Sequence, residues 1–259
     1  MIYNAIIQKL SETQDNYSVK IPLAIESGSR GWGFASPDSD YDCRFIYVNK
    51  KDWYISVFDK QDFIEYAADE VFDINGWDLK KVIVHILKSN AVIFEWLSSN
   101  EIYMKNEAVV KILLDLCNQF FNPIAVSHHY LSLAVNKYKE ITIDEKIKLK
   151  KYFYILRPLA NIKYIETYGK MPHMECYKTL SEIDIDNDIL NEINRLSEQK
   201  KLVNESFVIP QSKLLLDYFD NEIKRQDSRL KEMKFNKNKD YNPADVAFRK
   251  IIEMMWENE

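Results

Sequence analysis

The sequence predicts an α+β protein in which a small mixed β-sheet is followed by an all-helical domain. Two short apolar runs, at residues 21–25 and 43–48, are typical of buried strands. After Asp78 the apolar residues recur at helical spacing instead. The 259 residues include only 5 glycines, which also favours a helix-rich chain. We therefore expect two domains, at 1–121 and 122–259.

The N-terminal elements can be assigned in order along the chain. Residues 2–14 predict an amphipathic helix, 19–26 a first strand and 42–48 a second. Residues 71–75 predict a third strand that Gly76 closes, and Asp78 is placed as the N-cap of the helix that follows. Residues 53–58 and 62–66 fit both a helix and a strand and stay open between the two.

Every segment after residue 118 predicts a helix. Residues 122–139 form the first of these helices. A capping box at residues 142–145 precedes a long helix that reaches Tyr168, and Gly169 is placed as its C-cap. Three further helices are predicted, at residues 186–202, 211–234 and 243–257.

Composition argues against several classes of protein. The net charge of −5 is not that of a strongly basic nucleic-acid binder, although a local basic stripe is enough to bind RNA. The 3 cysteines include no Cys-x-x-Cys pair, which is typical of free thiols in a reducing compartment. The N-terminal helix lacks the features of a signal peptide, and no stretch reaches transmembrane length. We expect a cytoplasmic protein.

Residues 26–48 carry the most informative pattern. A turn with Gly28 and Ser29 follows the first strand, and Asp40 and Asp42 stand at the mouth of the second. Strand residues two apart point to the same face, so both carboxylates can reach one Mg²⁺ ion. A turn without a Cβ lets backbone N–H groups approach a phosphate. The pattern predicts phosphoryl or nucleotidyl transfer, against the alternative of a plain surface turn.

These residues resemble the signature of the DNA polymerase beta-like nucleotidyltransferase superfamily. The longer string, Gly28-Ser-Arg-Gly-Trp-Gly followed by Ser39-Asp-Tyr-Asp-Cys-Arg, is similar to the YcgL-like predicted nucleotidyltransferases, some of which are associated with RNA repair. Segments at 76–81, 90–97 and 150–158 extend the resemblance over about two-thirds of the chain. It implies transfer of a nucleoside monophosphate from an NTP to a hydroxyl, with Mg²⁺ or Mn²⁺ and release of pyrophosphate. An RNA end, a protein side chain and a small molecule all fit as acceptor.

The superfamily has a third acid on a later strand. Asp73 is our candidate, because a charge between Phe72 and Ile74 would be costly without a cation. Asp78 is the alternative, although its capping role already accounts for it. The resemblance implies that this acid holds a metal ion and helps to deprotonate the incoming hydroxyl.

Basic residues near the motif and in the long helix are candidates for binding the nucleotide phosphates. Arg44 shares a strand face with Asp42, so a salt bridge and a phosphate contact are both open. Arg157 is a cation in an apolar helical segment beside Pro158, and we expect it to join a cluster that neutralises the triphosphate. The predicted nucleotide-binding set is Gly28, Ser29, Arg30, Arg44, Lys81, Lys150, Lys151 and Arg157.

Two other classes of function fit the same fold. One is a non-catalytic module that binds a nucleotide or RNA, and the other is a partner of the toxin–antitoxin type. The paired acids Asp40 and Asp42 argue against the first, because a module without chemistry need not keep them.

Overall fold

The computed structural model describes residues 2–66, 72–141, 146–234 and 240–257, which form two compact units. The first unit consists of Met1–Gly31, Asp40–Phe121 and Lys237–Glu259, and the second of Trp32–Ser39 and Asn122–Asn236. The units depart from the predicted ranges 1–121 and 122–259 in two segments. Residues 32–39 belong to the helical unit, and the C-terminal helix belongs to the unit with the sheet.

A five-stranded mixed sheet forms the centre of the first unit. Its order is β3-β4-β2-β1-β5, in which β2 and β4 are parallel and the other neighbours antiparallel. The strands are β1 (Lys20–Glu26), β2 (Tyr41–Val48), β3 (Phe63–Glu65), β4 (Phe72–Asp78) and β5 (Ile102–Lys105). The helices of this unit are α1 (Ile2–Tyr17), α2 (Gly28–Gly31), α3 (Lys51–Tyr54), α4 (Leu79–Leu87), α5 (Ala91–Leu97), α6 (Glu107–Phe120) and α12 (Asn242–Trp256).

The second unit is mainly helical. Its helices are α7 (Pro123–Ile141), α8 (Leu149–Tyr168), α9 (Cys176–Ser181), α10 (Asn187–Lys200) and α11 (Lys213–Glu232). Gly169 caps α8 in the left-handed conformation, with φ of +61°, as predicted. The α+β class is confirmed by this combination of a mixed sheet with many helices.

The prediction that every segment after residue 118 is helical is wrong at one place in the second unit. Strands β6 (Lys146–Lys148) and β7 (Val208–Pro210) pair in antiparallel fashion, with Ile147 opposite Ile209. Both isoleucines are buried. Three residues are too few to show an alternating pattern in sequence, so only the pairing partner reveals the strands. The capping box predicted at 142–145 lies outside the described residues.

One face of the sheet packs against α1, and this decides which residues of β2 face the other way. The core cluster on the α1 side includes Ile6, Leu10, Cys43, Phe45, Tyr47 and Ile74. Because side chains alternate along a strand, Asp42 and Arg44 lie on the opposite face, together with Asp73. The parallel register of β2 and β4 sets Asp42 beside Asp73.

Strand β4 is longer than predicted. It continues through Gly76 to Asp78, whereas the sequence suggested that Gly76 closes it. Gly76 lies opposite Phe45 on β2, and a Cβ at Gly76 would stand 2.1 Å from the Phe45 ring. The glycine therefore marks the close approach of a ring and not the end of the strand. Val71, the predicted first residue of this strand, lies outside the described residues.

In the described ranges no single helix is long and apolar enough to cross a membrane, although α6 and α7 would pass that test if they are counted together as a bent pair.

Candidate active site

Two carboxylates and one guanidinium form a cluster at the start of the parallel strands. Arg44 Nη2 lies 3.0 Å from Asp42 Oδ1 and 2.7 Å from Asp73 Oδ2. Nη1 of Arg44 also donates a hydrogen bond to the main-chain oxygen of Asp73 at 2.9 Å. Of the two interpretations of Arg44, the salt bridge is the one present in the structure. Arg44 thus holds both acids in one orientation.

Asp42 is in an environment that disfavours its ionised form. Burial raises the pKa of Asp42 above its ordinary value, Arg44 opposes the rise, and Asp73 and Asp40 add to it. A carboxylate that is partly withdrawn from water, next to other acids, is stabilised by any cation that binds there. This site can therefore accept more positive charge than Arg44 supplies.

Gly28 passes directly over the carboxylate of Asp42. Its φ is +56°, in the left-handed region that favours glycine. A Cβ at this position would stand 1.8 Å from Asp42 Oδ2. The sequence suggested that this glycine leaves room for a phosphate. In the structure the first atom that a side chain at Gly28 would meet belongs to Asp42.

Glu26 supports the site, and the sequence analysis did not single it out. Its side chain is 4% exposed, and Oε1 accepts a hydrogen bond of 2.9 Å from the main-chain N–H of Asp42. The hydroxyl of Tyr103 donates to Oε2. Burial raises the pKa of Glu26. An acid at the end of a buried strand, directly before the glycine turn, was a signal that could have identified it.

Asp40, Arg30 and Ser29 lie around the cluster. Asp40 precedes β2 and is exposed, and Arg30 Nε donates to its main-chain oxygen at 3.1 Å. The Arg30 guanidinium lies 3.9 Å above the ring of Tyr41. Ser29 is 6% exposed within α2. The structure therefore brings together the turn, both acids of the motif and Asp73.

Asp78, the alternative third carboxylate, lies at the other end of β4. It lies five positions after Asp73 along the strand, which corresponds to about 16 Å. Its carboxylate accepts hydrogen bonds from Lys80 N at 2.8 Å, Asn49 Nδ2 at 2.9 Å and Tyr54 Oη at 2.8 Å. Asp78 is thus a buried N-cap with its own partners, and Asp73 is the acid beside Asp42.

Lys81 does not lie at the cluster either. Its Nζ is 2.8 Å from Asp62 Oδ1, and the main-chain oxygen of Asp62 accepts the N–H of Asp78. Lys81 is therefore at the same end of β4 as Asp78. This position does not support the prediction that Lys81 helps to bind the phosphates of a nucleotide at Asp42.

The three predicted cations of the long helix each have a partner within the second unit. Lys150 lies 2.5 Å from Glu205 and Lys151 lies 3.7 Å from Glu140. Arg157 is 5% exposed, and its guanidinium lies 4.1 Å above the ring of Trp32. Their role in binding the triphosphate stays a prediction.

The chain between the two halves of the motif is held by the helical unit. Ser39 Oγ donates to Glu205 Oε1 at 2.7 Å, and the N–H of Glu205 donates to Asp38 Oδ1 at 2.9 Å. Lys200, only 2% exposed, donates to Ser36 Oγ at 2.8 Å. Residues 32–39 are therefore anchored by polar contacts to a unit that lies mostly more than 80 residues later in sequence.

The acids fit a divalent cation as a pair. Asp42 and Asp73 offer the hard carboxylate oxygens that Mg²⁺ takes, and Mg²⁺ commonly uses one or two carboxylates and fills its other positions with water and substrate phosphates. Within the part of the chain that the structure describes, no group of three or more His, Cys, Asp or Glu side chains is arranged to hold a metal ion. The set of three metal ligands predicted from the sequence, Asp40, Asp42 and Asp73, stays a prediction.

Replacing Arg44 by glutamine should make the fold depend on a divalent cation. The carboxylates of Asp42 and Asp73 would then lie side by side without the guanidinium of Arg44 between them. We expect a loss of about 1–2 kcal/mol, at the low end for a broken ion pair because the side chain of Asp73 is 38% exposed. This corresponds to a fall in Tm of about 2–8 °C in EDTA. Millimolar Mg²⁺ should restore more of the Tm in the variant than in the wild type.

The matched control for this experiment is Arg195→Gln. Arg195 pairs with Glu192 on the surface of α10, with 60% of its side chain exposed, so its loss should change the Tm little. Equal Tm values for wild type and Arg44→Gln in EDTA would contradict the role assigned to Arg44.

The turn, the paired acids on parallel strands and the mixed sheet are the features expected of a nucleotidyltransferase of the polymerase beta type. The sequence model of the RlaP family, described as the RNA repair pathway DNA polymerase beta family, matches residues 2–250, and the chain belongs to this family.

Two known proteins are similar to this chain along most of its length. The uncharacterized protein YcgL of Bacillus subtilis (strain 168) is 35% identical over 253 residues, which cover 98% of this chain and 97% of that protein. A nucleotidyltransferase-like protein from Exiguobacterium sibiricum 255-15, known from a crystal structure, aligns with 98% of this chain and 81% of its own at 12% identity and a TM-score of 0.31. A score this low does not establish a shared fold.

Proposed function

We propose that this protein transfers a nucleoside monophosphate from an NTP to the hydroxyl of an RNA end and releases pyrophosphate, with Mg²⁺ or Mn²⁺ as cofactor. The observation that carries the proposal is the pair of Asp42 and Asp73, set side by side on parallel strands, with Gly28 of the turn close to the carboxylate of Asp42. Membership of the family supports the type of reaction. The RNA repair in the family's description supports RNA as the acceptor.

Each residue of the cluster has a part in this reaction. Asp73, whose side chain is 38% exposed, would accept the proton of the attacking hydroxyl. The hydroxyl oxygen bonds to the α-phosphorus of the NTP, and the bond from that phosphorus to the oxygen leading to the β-phosphate breaks. Ser29 and the N–H groups of its turn would bind the terminal phosphates. Glu26 and Arg44 keep Asp42 in place throughout.

A bound Mg²⁺ ion would neutralise the charge that develops on the phosphates. Asp42 and Asp73 are the residues that would hold it, and Asp40 at the rim would complete the set. The protein's own contribution is to keep these acids ionised and close together, which costs free energy in the absence of positive charge.

The test is transfer of label from NTPs carrying ³²P at the α-position. The protein is incubated with Mg²⁺, each NTP in turn, and an RNA that ends in a 3′-hydroxyl. The matched acceptor is the same RNA with a blocked 3′ end. We expect label in the open RNA only, pyrophosphate in equal amount, and no label when the NTP carries ³²P at the γ-position.

Three outcomes would contradict parts of the proposal. Label in protein or in a small molecule would show that RNA is not the acceptor, although the type of reaction would stand. Binding of NTP without any transfer would favour the non-catalytic alternative. Label in the blocked RNA would exclude the 3′-hydroxyl as the nucleophile.

A further inference from the structure

A cleft lies in the first unit, at the end of β4 away from Asp73. Its volume is about 390 Å³, and it is lined by α3, the residues after α3 and one side of α4 up to Lys88. Asp62 and Asp78 belong to its wall. We call it the lysine cleft and define it by Trp53, Phe58, Lys60, Lys80, Lys81 and Lys88. None of these side chains takes part in the cluster around Asp42.

The lysine cleft carries a local excess of positive charge on a chain whose net charge is −5. Its wall includes four lysines and the three acids Asp59, Asp62 and Asp78. Asp78 is buried and occupied by three hydrogen bonds, and Asp62 pairs with Lys81. Lys60, Lys80 and Lys88 are exposed and outnumber the one exposed acid, Asp59, so the charge offered to solvent is positive. Such a patch attracts a polyanion.

Apolar side chains stand exposed beside these lysines. Phe58, in the wall of the cleft, is 78% exposed, and its neighbours Val57 and Ile55 are 92% and 69% exposed. The half-buried Trp53 ring lies 5.5 Å from Lys60 Nζ. Contiguous exposed apolar residues mark a binding surface, and rings next to cations are the means by which proteins hold single-stranded nucleic acid.

We propose that the lysine cleft binds a single-stranded stretch of RNA, with bases stacked on Phe58 and Trp53 and phosphates held by Lys60, Lys80 and Lys88. The choice of RNA over other polyanions rests on the proposed function. The evidence that the cleft binds a polyanion, its exposed lysines and rings, does not depend on that function. Asp73 and Asp78 are about 16 Å apart along β4, a distance that a few nucleotides of extended strand can span. The cleft would thus hold the acceptor RNA some nucleotides away from its reacting end.

Binding is measured by fluorescence anisotropy with a labelled oligouridylate of about 12 nucleotides, within the site sizes of single-strand binding proteins. The variants are Phe58→Ala and the double variant Lys80→Glu, Lys88→Glu. The matched controls are Tyr17→Ala, which removes another ring that is 50% exposed, and the double variant Lys111→Glu, Lys178→Glu, which makes the same change in charge at exposed lysines outside the cleft. All four should melt like the wild type.

We expect Phe58→Ala to weaken RNA binding about tenfold, the loss of one base stack. The cleft charge variant should weaken RNA binding about tenfold or more. The negative slope of log K against log salt concentration should become shallower by about 0.7 for each phosphate that no longer contacts a lysine. Both controls should bind within about twofold of the wild type. Binding of Mg²⁺–NTP, measured by calorimetry, should be unchanged in every variant, since Asp42 and Asp73 are untouched.

The proposal is overturned if the wild type does not bind the oligonucleotide, or if the cleft variants bind no worse than their controls. Loss in the charge variant alone would overturn the stacking on Phe58. The failure of this proposal and the failure of the proposed function can be told apart. If RNA binds in the cleft but no transfer occurs, the proposed reaction is contradicted and the role of the cleft is retained. If transfer occurs and the cleft variants bind RNA normally, the role of the cleft is contradicted and the reaction is retained.

Discussion

Gly28→Ala should reduce nucleotidyl transfer by about a hundredfold or more and lower the Tm. The added methyl would stand 1.8 Å from Asp42 Oδ2, so the carboxylate has to move. Asp42 cannot move freely, because Oδ1 bonds to Arg44 at 3.0 Å and its N–H bonds to Glu26. A displacement of about 1 Å at a reacting centre costs on the order of a hundredfold in rate. The measurements are transfer of α-label and a thermal melt.

Gly169→Ala is a closely matched control for this variant. Gly169 has φ of +61°, close to the +56° of Gly28, but nothing lies within 4 Å of a Cβ built there. It should show only the strain of the left-handed backbone, about 1–2 kcal/mol or a Tm lower by about 2–8 °C, with normal transfer. Equal effects of the two substitutions on activity would show that the contact with Asp42 is unimportant.

Asp42→Asn and Asp73→Asn should each lower transfer by about a thousandfold or more, and Asp40→Asn should share the effect if it joins the metal ion. Loss of several kcal/mol of stabilisation in the transition state corresponds to this factor. Folding should survive in Asp42→Asn. The pKa of Asp42 is raised in the folded protein, so its ionisation costs stability as the pH rises, and a neutral amide removes that cost.

The control for the carboxylate variants is Asp52→Asn, an exposed acid at the start of α3. It should leave both transfer and melting unchanged. Transfer at the wild-type rate by Asp42→Asn would show that the paired acids are not the site. A large fall in the Tm of that variant would show instead that Asp42 serves the fold.

The core of the candidate site could be predicted because it is local in sequence. The turn at Gly28 and the acids Asp40 and Asp42 lie within 15 residues, and the alternation of a strand fixes their common direction. The position of Asp73 could not be predicted from local sequence, because only the parallel pairing of β2 with β4 brings it next to Asp42. The sequence alone left Asp78 as an alternative third carboxylate, and its distance along β4 from the strand position beside Asp42 favours Asp73 instead.

The remaining parts of the site depend on contacts between distant segments. Tyr103 meets Glu26 from a strand 77 positions later, and Lys150 meets Glu205 55 positions later. A lysine without a visible partner in sequence looks like a ligand for phosphate, and the structure gives it an internal acid instead. Residues 36–39 have the composition of an ordinary turn. The two aromatic residues before them, Trp32 and Phe34, predict burial, but the sequence does not show which unit they pack into.

Helix α12 completes the unit that carries the candidate site, although in sequence it is separated from the rest of that unit by the whole helical segment. Phe248 packs on Tyr54 with ring centroids 4.8 Å apart, and Trp256 lies under Lys20 and Lys50. During synthesis at about 5–20 residues per second, the sheet therefore waits on the order of ten seconds for its last helix to leave the ribosome. A polypeptide released before residue 242 would present the strands of the candidate site in an unfinished unit.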